Sequence, residues 1–171
     1  MTFRPTSNSK KEKILSLSMA LLAVLMIIIA GITNKFGGLY QITAIIFGVV
    51  AIEFYLKYVG SDYIYEAADD SFKVYKVTGK KSICVSSLDY DMSLSYVVTG
   101  EEYNKNKADF PVSDFNVNLC KNLAPNVYSV YFFKINGKTS MMKFEPDAVF
   151  TEYINSKIAS CFEKSEDDEE E

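Results

Sequence analysis

Hydrophobic residues form two long blocks near the start of the chain and alternate with polar residues afterwards. Residues 14–32 contain no charge, and as a helix they would cover roughly 28 Å of a ~30 Å hydrocarbon layer. A second apolar run spans residues 39–58 after a short connection that contains Gly37 and Gly38. Because so short a connection cannot recross a bilayer, residues 14–59 are predicted to form an antiparallel transmembrane hairpin.

The orientation of this hairpin follows from the basic residues that flank it. Arg4, Lys10, Lys11 and Lys13 precede the first span and Lys57 ends the second, whereas the connection carries only Lys35. By the positive-inside rule, we expect a two-span protein of the cell membrane with both termini in the cytoplasm. Residues 1–13 then form a basic cytoplasmic tail. A secretory signal peptide also begins with basic residues, but no A-x-A-like cleavage site follows Ile29.

Residues 60–162 have the short Val-, Ile-, Tyr- and Phe-rich segments of an antiparallel β domain. Turn residues separate these segments, and residues 100–111 are polar enough to predict a mobile loop. The predicted strands are residues 62–67, 71–77, 82–88, 94–99, 113–119, 127–135 and 138–144.

The strongest local signal is Asn136-Gly137, which favours a two-residue type I′ turn between two of these strands. The turn sets the register of the hairpin, because cross-strand partners share a face. One face, predicted to be core, pairs Ile135 with Lys138, Phe133 with Ser140, Tyr131 with Met142, and Ser129 with Phe144. The other face pairs Phe132 with Met141, Val130 with Lys143, and Tyr128 with Glu145.

A helix is predicted after the hairpin. Pro146 and Asp147 suit its first turn, and Phe150, Ile154 and Ile158 recur at helical spacing. Antiparallel strands closed by one C-terminal amphipathic helix predict an all-β, pleckstrin-homology (PH)-like barrel. Residues 163–171 are strongly acidic and are predicted to be a disordered tail.

The chain resembles a known group of proteins in its order of motifs. A two-span hairpin is followed by DYIYE, FKVYKVTGKK and ICVSSLD, and then by NGK and KFEP before the last helix. This order is similar to small bacterial membrane proteins with a cytoplasmic PH-like domain of the YcxB-like type. The resemblance covers about residues 14–162 and implies a fold and a membrane location. It implies no active-site residue, because the shared motifs are turns and strands.

Composition argues against an enzyme. The chain has no His and no Trp, which removes the usual general base and the commonest metal ligand. Cys84, Cys120 and Cys161 are far apart and form no C-x-x-C pair, so neither a metal nor another cofactor is expected. The net charge of −4 and the absence of a basic stripe argue against nucleic acid as a partner.

Three groups of residues are candidate contacts. The second face of the Asn-Gly hairpin mixes aromatic and charged residues, so either a neighbouring element covers it or it is a patch for a protein partner. A basic hairpin could contact anionic membrane lipid, although a solvated turn has the same composition. Glu53 could contact a partner's transmembrane helix, or pair with Lys57 at the membrane interface. The patch residues are Tyr128, Val130, Phe132 and Met141, and the basic residues are Lys73, Lys76, Lys80 and Lys81.

Small residues in the spans bear on assembly. Ser16 and Ala20, and Ala44 and Gly48, have the small-x-x-x-small spacing that lets helices approach closely. They favour packing within the hairpin, with a homo-oligomer as the alternative. The resulting hypothesis is a membrane-anchored, non-enzymatic interaction or scaffold protein that presents its cytoplasmic domain to a protein partner. The alternatives are a sensor of anionic lipid and a small accessory subunit of a membrane transport complex.

Overall fold

The computed structural model describes residues 1–6, 10–33, 37–92 and 94–169, which form two compact units. Ser7–Asp62 is the helical hairpin, and Met1–Thr6 together with Tyr63–Glu171 is the β domain. The helices are α1 (Lys10–Ile32), α2 (Gly37–Phe54), α3 (Gly100–Lys105) and α4 (Ala148–Glu169). The strands are β1 (Thr2–Phe3), β2 (Asp62–Ala67), β3 (Ser71–Thr78), β4 (Lys81–Asp89), β5 (Tyr96–Thr99), β6 (Phe115–Asn118), β7 (Ser129–Ile135) and β8 (Lys138–Phe144).

The helical hairpin has two helices of the predicted kind. α1 is one, and α2 continues through a π-helical turn over Tyr55–Val59 to form the other. Both are long and apolar enough to cross a membrane by length and composition, as the apolar blocks predict. Lys35, on which the predicted orientation partly depends, lies outside the described residues.

Small residues are buried where α1 and α2 meet, but only two of the four predicted ones are among them. Ser16 and Ala44 are buried as predicted, and the other small buried residues are Ala23 and Ala51. The hydroxyl of Ser16 donates to the carbonyl oxygen of Ala51 at 3.2 Å. These four small residues are seven positions apart on each helix, and we call them the seam. A seven-residue step returns a helical side chain almost to the same direction, so the two residues on each helix face the same way.

The first sheet of the β domain has the order β1-β2-β3-β4. Alternate residues of β2 are buried, as period-2 patterning predicts, so Tyr63, Tyr65 and Ala67 face the core. β3 and β4 pair antiparallel around Gly79, whose φ of +60° suits glycine in a tight turn. A register shift next to Val74 marks a β-bulge in this hairpin.

Met1–Thr6, which belongs to the predicted basic tail, contains the short strand β1. β1 pairs antiparallel with β2, and the ring of Phe3 stacks 6.4 Å from Tyr65 and lies 5.7 Å from Phe150. The segment before α1 is therefore part of the β domain that follows α2. A two-residue strand is too short to show a periodic pattern, so sequence patterning could not detect it.

The second sheet has the order β5-β7-β8-β6, and it differs from the prediction in one pairing. The β7–β8 register around Asn136-Gly137 is confirmed pair by pair. β6, however, runs parallel to β8, although an antiparallel arrangement was expected throughout. Among the described residues, the strands pair as two four-stranded sheets and not as one closed barrel.

The main core lies between the two sheets and α4. Phe72 from the first sheet has its ring 5.8 Å from Tyr131 and 5.0 Å from Phe144 on the second. Phe150, Ile154 and Ile158 of α4 complete this core at the predicted helical spacing. The carboxylate of Asp147 caps α4 by accepting the Phe150 N–H at 2.7 Å.

The C-terminal end and the predicted loop are both more helical than expected. α4 continues to Glu169, so the acidic residues 163–169 have helical backbone and not the irregular conformation that charge repulsion suggested. Glu and Lys are good helix formers, and adding a residue to an existing helix is far easier than starting one. The predicted loop at residues 100–111 contains the short helix α3, which Thr99 caps by accepting the Glu102 N–H.

Candidate interaction surfaces

The predicted partner patch lies inside a second hydrophobic core. Val130, Phe132 and Met141 are buried on the second face of the β7–β8 hairpin, and Phe132 is 0% exposed. Of the two alternatives that the sequence left open, covering by a neighbouring element is the one observed. The chain's own residues therefore occupy this face, and a partner cannot reach three of the four patch residues in this conformation.

The cover consists of α3 and the segment that follows it. The rings of Tyr103 and Phe110 lie 5.9 Å and 5.5 Å from the ring of Phe132. Gly100 starts α3 and donates its N–H to the Tyr128 carbonyl at 2.7 Å. A Cβ at this glycine would lie 2.6 Å from the Tyr128 ring, so only glycine allows so close an approach.

The basic hairpin is exposed at its tip, but its four lysines do not form one cluster. Lys80 and Lys81 lie at the β3–β4 turn and are exposed. Lys73 and Lys76 are three positions apart on β3, so their side chains point to opposite faces. Lys73 also lies about 17 Å from the turn at ~3.3 Å per residue. The structure therefore groups Lys76 with Lys80 and Lys81 and leaves Lys73 apart.

The same tip exposes apolar side chains that sequence reasoning did not select. Ile83 is directly opposite Lys76 and is 63% exposed, and Val85 is exposed at the bulge. The first five residues of β4 are all exposed, and β4 is an edge strand. The alternation of a β-strand would place every second of these side chains toward the core. All five are exposed because this end of the hairpin extends beyond the core, which only the tertiary structure shows.

A larger apolar surface lies beside β6, at the Asn136-Gly137 end of the second sheet. Phe115, Val117 and Ile135 line an open groove of about 510 Å³, and Phe115 is 55% exposed. We call this surface the β6 groove; its other lining residues are Phe133, Asn136, Lys138 and Ser140. The amino group of Lys138 lies 5.3 Å from the centre of the Phe115 ring. Apolar side chains dominate the lining of this groove, and no sequence motif indicated it.

The opposite face of β6 has a smaller and more polar groove. Asn116, Asn118 and Lys143 line it together with Val117 and Met141. Lys143 contacts two aromatic rings, with its amino group 5.7 Å from Tyr103 and 5.5 Å from Tyr128. No acidic residue is among the described residues that line either groove, so both have a positive charge near β6.

Glu53, the predicted transmembrane contact, is exposed on α2. The predicted ion pair with Lys57 does not form in the described part of the hairpin. Instead the Lys57 amino group lies 5.1 Å from the centre of the Tyr58 ring. The π-helical turn begins at Tyr55, and it alters the four-residue spacing that would have placed Glu53 and Lys57 side by side.

Buried tyrosines carry the strongest electrostatic perturbations in the β domain. Burial raises the pKa of Tyr131 to about 12, and it raises the pKa of Tyr65 and of Tyr90 even further. In each case the cause is loss of water around the phenolate, which destabilises the charged form. These groups stay neutral at physiological pH and so provide no acid or base there.

We expect the β domain to lose stability as the pH rises from about 10 to about 12. In this range the unfolded chain loses phenolic protons that the folded chain retains, so the free energy of unfolding falls by about 1.4 kcal/mol per pH unit for each buried tyrosine. Tyr131→Phe should reduce that slope by one such contribution. Urea unfolding at a series of alkaline pH values measures it, and an unchanged slope would contradict the raised pKa of Tyr131.

The remaining reactive side chains of the β domain are three cysteines and scattered carboxylates. No group of three or more Cys, Asp or Glu side chains in the described ranges could hold a metal ion. Cys84 is exposed, Cys120 is buried and Cys161 is half-buried.

Comparison with protein-family models, curated proteins and solved structures finds no match to this chain.

Proposed function

We propose that the chain is a membrane-anchored, non-enzymatic interaction protein. In this proposal the helical hairpin spans the cell membrane twice, and the β domain binds an extended segment of a protein partner at β6. The observation that carries the proposal is the β6 groove, an exposed apolar surface along an edge strand. Apolar surfaces of this kind commonly mark binding sites on soluble domains.

The exposure of the helices supports the membrane anchor. Only 11% of the most apolar window of either helix is buried, and large side chains such as Leu17, Leu21 and Ile45 are about two-thirds or more exposed. A water-soluble protein would not leave so much continuous apolar surface in water, whereas hydrocarbon lipid solvates it without cost. The buried seam of Ser16, Ala23, Ala44 and Ala51 is what close packing in a bilayer requires.

The position of β1 supports a topology with both flanks of the hairpin on one side of the membrane. β1 precedes α1 and β2 follows α2, and the two strands are hydrogen-bonded neighbours. If α1 and α2 both cross the bilayer, this pairing needs both flanks on the same side. The basic residues outside the connection favour the cytoplasm as that side.

The edge of β6 suits recognition by strand addition. Ile135 pairs with Lys138 across the two-residue turn, so the even-numbered residues of β8 bond to β7 and the odd-numbered ones face β6. The N–H of Leu119 donates to the Lys143 carbonyl at 2.9 Å, and by alternation Phe115 and Val117 also bond toward β8. The N–H and C=O groups of Asn116 and Asn118 then point to the free edge. β6 also has neither charge nor proline, the two features that commonly block pairing at an edge. An extended peptide can add to such a strand through main-chain hydrogen bonds.

The two grooves indicate the side chains of this partner. Successive residues of an added strand point to opposite faces of the sheet. Those on one face would meet the apolar β6 groove, and those on the other would meet the polar groove that contains Lys143. We therefore propose an extended segment in which apolar residues alternate with polar or acidic ones. The acidic residues would complement Lys138 and Lys143.

The test is photo-crosslinking of the full-length protein in its membrane. With a benzophenone amino acid in place of Phe115, we expect crosslinks to one segment of a partner protein that mass spectrometry can sequence. Val149 on α4 is also an exposed apolar residue, so the same probe at that position is the matched control. Equal crosslinking from both positions, or a crosslinked segment without alternating apolar residues, would contradict docking at β6.

A proline variant distinguishes main-chain hydrogen bonding between β6 and the partner from apolar side-chain contact alone. Asn116→Pro removes an N–H at the free edge and no hydrogen bond to β8, so the β domain should remain folded. It should lower crosslinking from position 115 by about tenfold or more, the effect of losing one or two hydrogen bonds. Asn116→Ala loses the same side chain but keeps the N–H, so it should reduce crosslinking much less. Equal losses from the two variants would show that the main chain of β6 does not pair with the partner.

We also propose that the β domain is related in fold to the PH-like domains. Two four-stranded sheets with a C-terminal helix across the core are compatible with a PH-like domain of the YcxB-like type. The order of elements along the chain, a helical hairpin and then a β-rich domain, supports the same assignment. Such an assignment concerns the fold alone, and function still depends on the surfaces described above.

A further inference from the structure

We propose that the tip of the β3–β4 hairpin is a second membrane contact, which docks on an anionic bilayer surface through both charge and apolar insertion. This inference uses only the anchor part of the proposed function and is independent of the β6 groove. The contact consists of Lys76, Lys80 and Lys81 together with Ile83 and Val85.

The charge of the hairpin is the first observation. Between Ser71 and Leu88 the chain has four Lys and neither Asp nor Glu. In a domain that is acidic overall, this acid-free hairpin is a local positive field. Glu66 on the neighbouring β2 interacts with Tyr75, whose side chain lies on the face opposite to Lys76. Glu66 therefore interacts on the face away from Lys76, and Asp89 lies at the opposite end of the hairpin from the turn.

The exposed apolar side chains are the second observation, and they distinguish a bilayer from a soluble anion. Ile83 shares a face with Lys76, its cross-strand partner, so an apolar and a cationic side chain project together. Lys80 and Lys81 lie at the turn directly beyond this pair. An anionic bilayer offers phosphate groups to the lysines and, just below them, an apolar layer for Ile83 and Val85. Free phosphate or a nucleic-acid backbone would leave these apolar side chains in water.

The native cysteine Cys84 lies between the two apolar residues and is exposed, so it can carry the reporter. A spin label is attached to Cys84 of the full-length protein in a Cys161→Ser background, and the protein is placed in nanodiscs. Oxygen concentrates in the bilayer and a nickel complex remains in water, so their relative access to the label measures insertion. Discs of pure phosphatidylcholine are compared with discs that also contain phosphatidylglycerol.

We expect phosphatidylglycerol to raise oxygen access to the label and to lower nickel access, and high salt to reverse both changes. The double variant Lys80→Glu, Lys81→Glu should weaken docking by about 30-fold or more, since each lysine near an anionic surface contributes about a fivefold gain. Lys105→Glu with Lys107→Glu changes the net charge equally at other exposed positions, and it should have little effect. Ile83→Ser should lower oxygen access without removing the dependence on phosphatidylglycerol.

Several results would overturn the inference. One is a label that stays in water in discs with phosphatidylglycerol, and another is an equal response in pure phosphatidylcholine. Equal losses from the two double variants would show a nonspecific charge effect. If a soluble polyphosphate immobilised the label as strongly as anionic discs did, the tip would be an anion site and not a bilayer contact. A chain that failed to enter the discs would contradict the proposed anchor as well.

Discussion

Replacing Phe132 by Lys is expected to lower the free energy of unfolding of the β domain by about 5 kcal/mol or more. Loss of a buried phenylalanine ring alone costs about 3–5 kcal/mol. Phe132 is 0% exposed, and its ring contacts those of Tyr96, Tyr103 and Phe110. An ammonium group at this position would lose its hydration without gaining a partner, which adds several kcal/mol.

Urea unfolding of the full-length protein in detergent, followed by near-UV circular dichroism of the tyrosines, measures this effect. Phe132→Leu keeps most of the buried apolar volume, so it should cost much less than the lysine. A Phe132→Lys protein as stable as the parent would show that α3 does not cover this face. If the prediction holds, loss of a partner in this variant would reflect unfolding, and variants of the β6 groove are the appropriate probes of docking.

Tyr65→Phe is expected to cost about 2–4 kcal/mol although it removes a single oxygen atom. The hydroxyl of Tyr65 donates to the Leu119 carbonyl at 2.9 Å and accepts the Glu145 N–H at 3.2 Å. It therefore joins β2 of the first sheet to the ends of β6 and β8 in the second. The substitution removes the hydrogen bond that this hydroxyl makes to each buried backbone group, and each such loss costs about 1–3 kcal/mol.

The matched control is Tyr75→Phe, because Tyr75 lies on the next strand and its hydroxyl is not buried. This variant should change the free energy of unfolding by less than about 0.5 kcal/mol. The same urea titration compares the two. Equal small effects at both positions would mean that the hydroxyl of Tyr65 does not hold the sheets together.

Local signals predicted the elements that local forces determine. The apolar blocks predicted both long helices, because length and hydropathy are properties of a single segment. Asn136-Gly137 predicted the complete β7–β8 register, since a two-residue turn leaves only one way to align its strands. Phe150, Ile154 and Ile158 predicted the buried face of α4 in the same way, through a periodicity that needs no knowledge of the partner.

Elements that depend on distant parts of the chain were missed. β1 is recognisable only once β2 and Phe150 provide an edge and a surface for Phe3. The parallel pairing of β6 with β8 depends on the path between β5 and β7, which no short window of sequence describes. α3 was read as a loop because its six residues are mostly polar, and their role appears only when Tyr103 packs on Phe132.

The candidate sites show the same difference between local and long-range determinants. The amino-acid pattern alone established a two-helix hairpin, a β-rich domain with a terminal helix, and a composition without the usual catalytic residues. It left open whether a neighbouring element covers the second face of the Asn-Gly hairpin or a protein partner binds there. The tertiary structure decided which residues remain on the surface. It buries Phe132 beneath α3 and leaves Phe115, Val117 and Ile83 exposed. The reason is physical: exposure depends on which elements pack together, whereas hydrophobicity and periodicity describe each element alone.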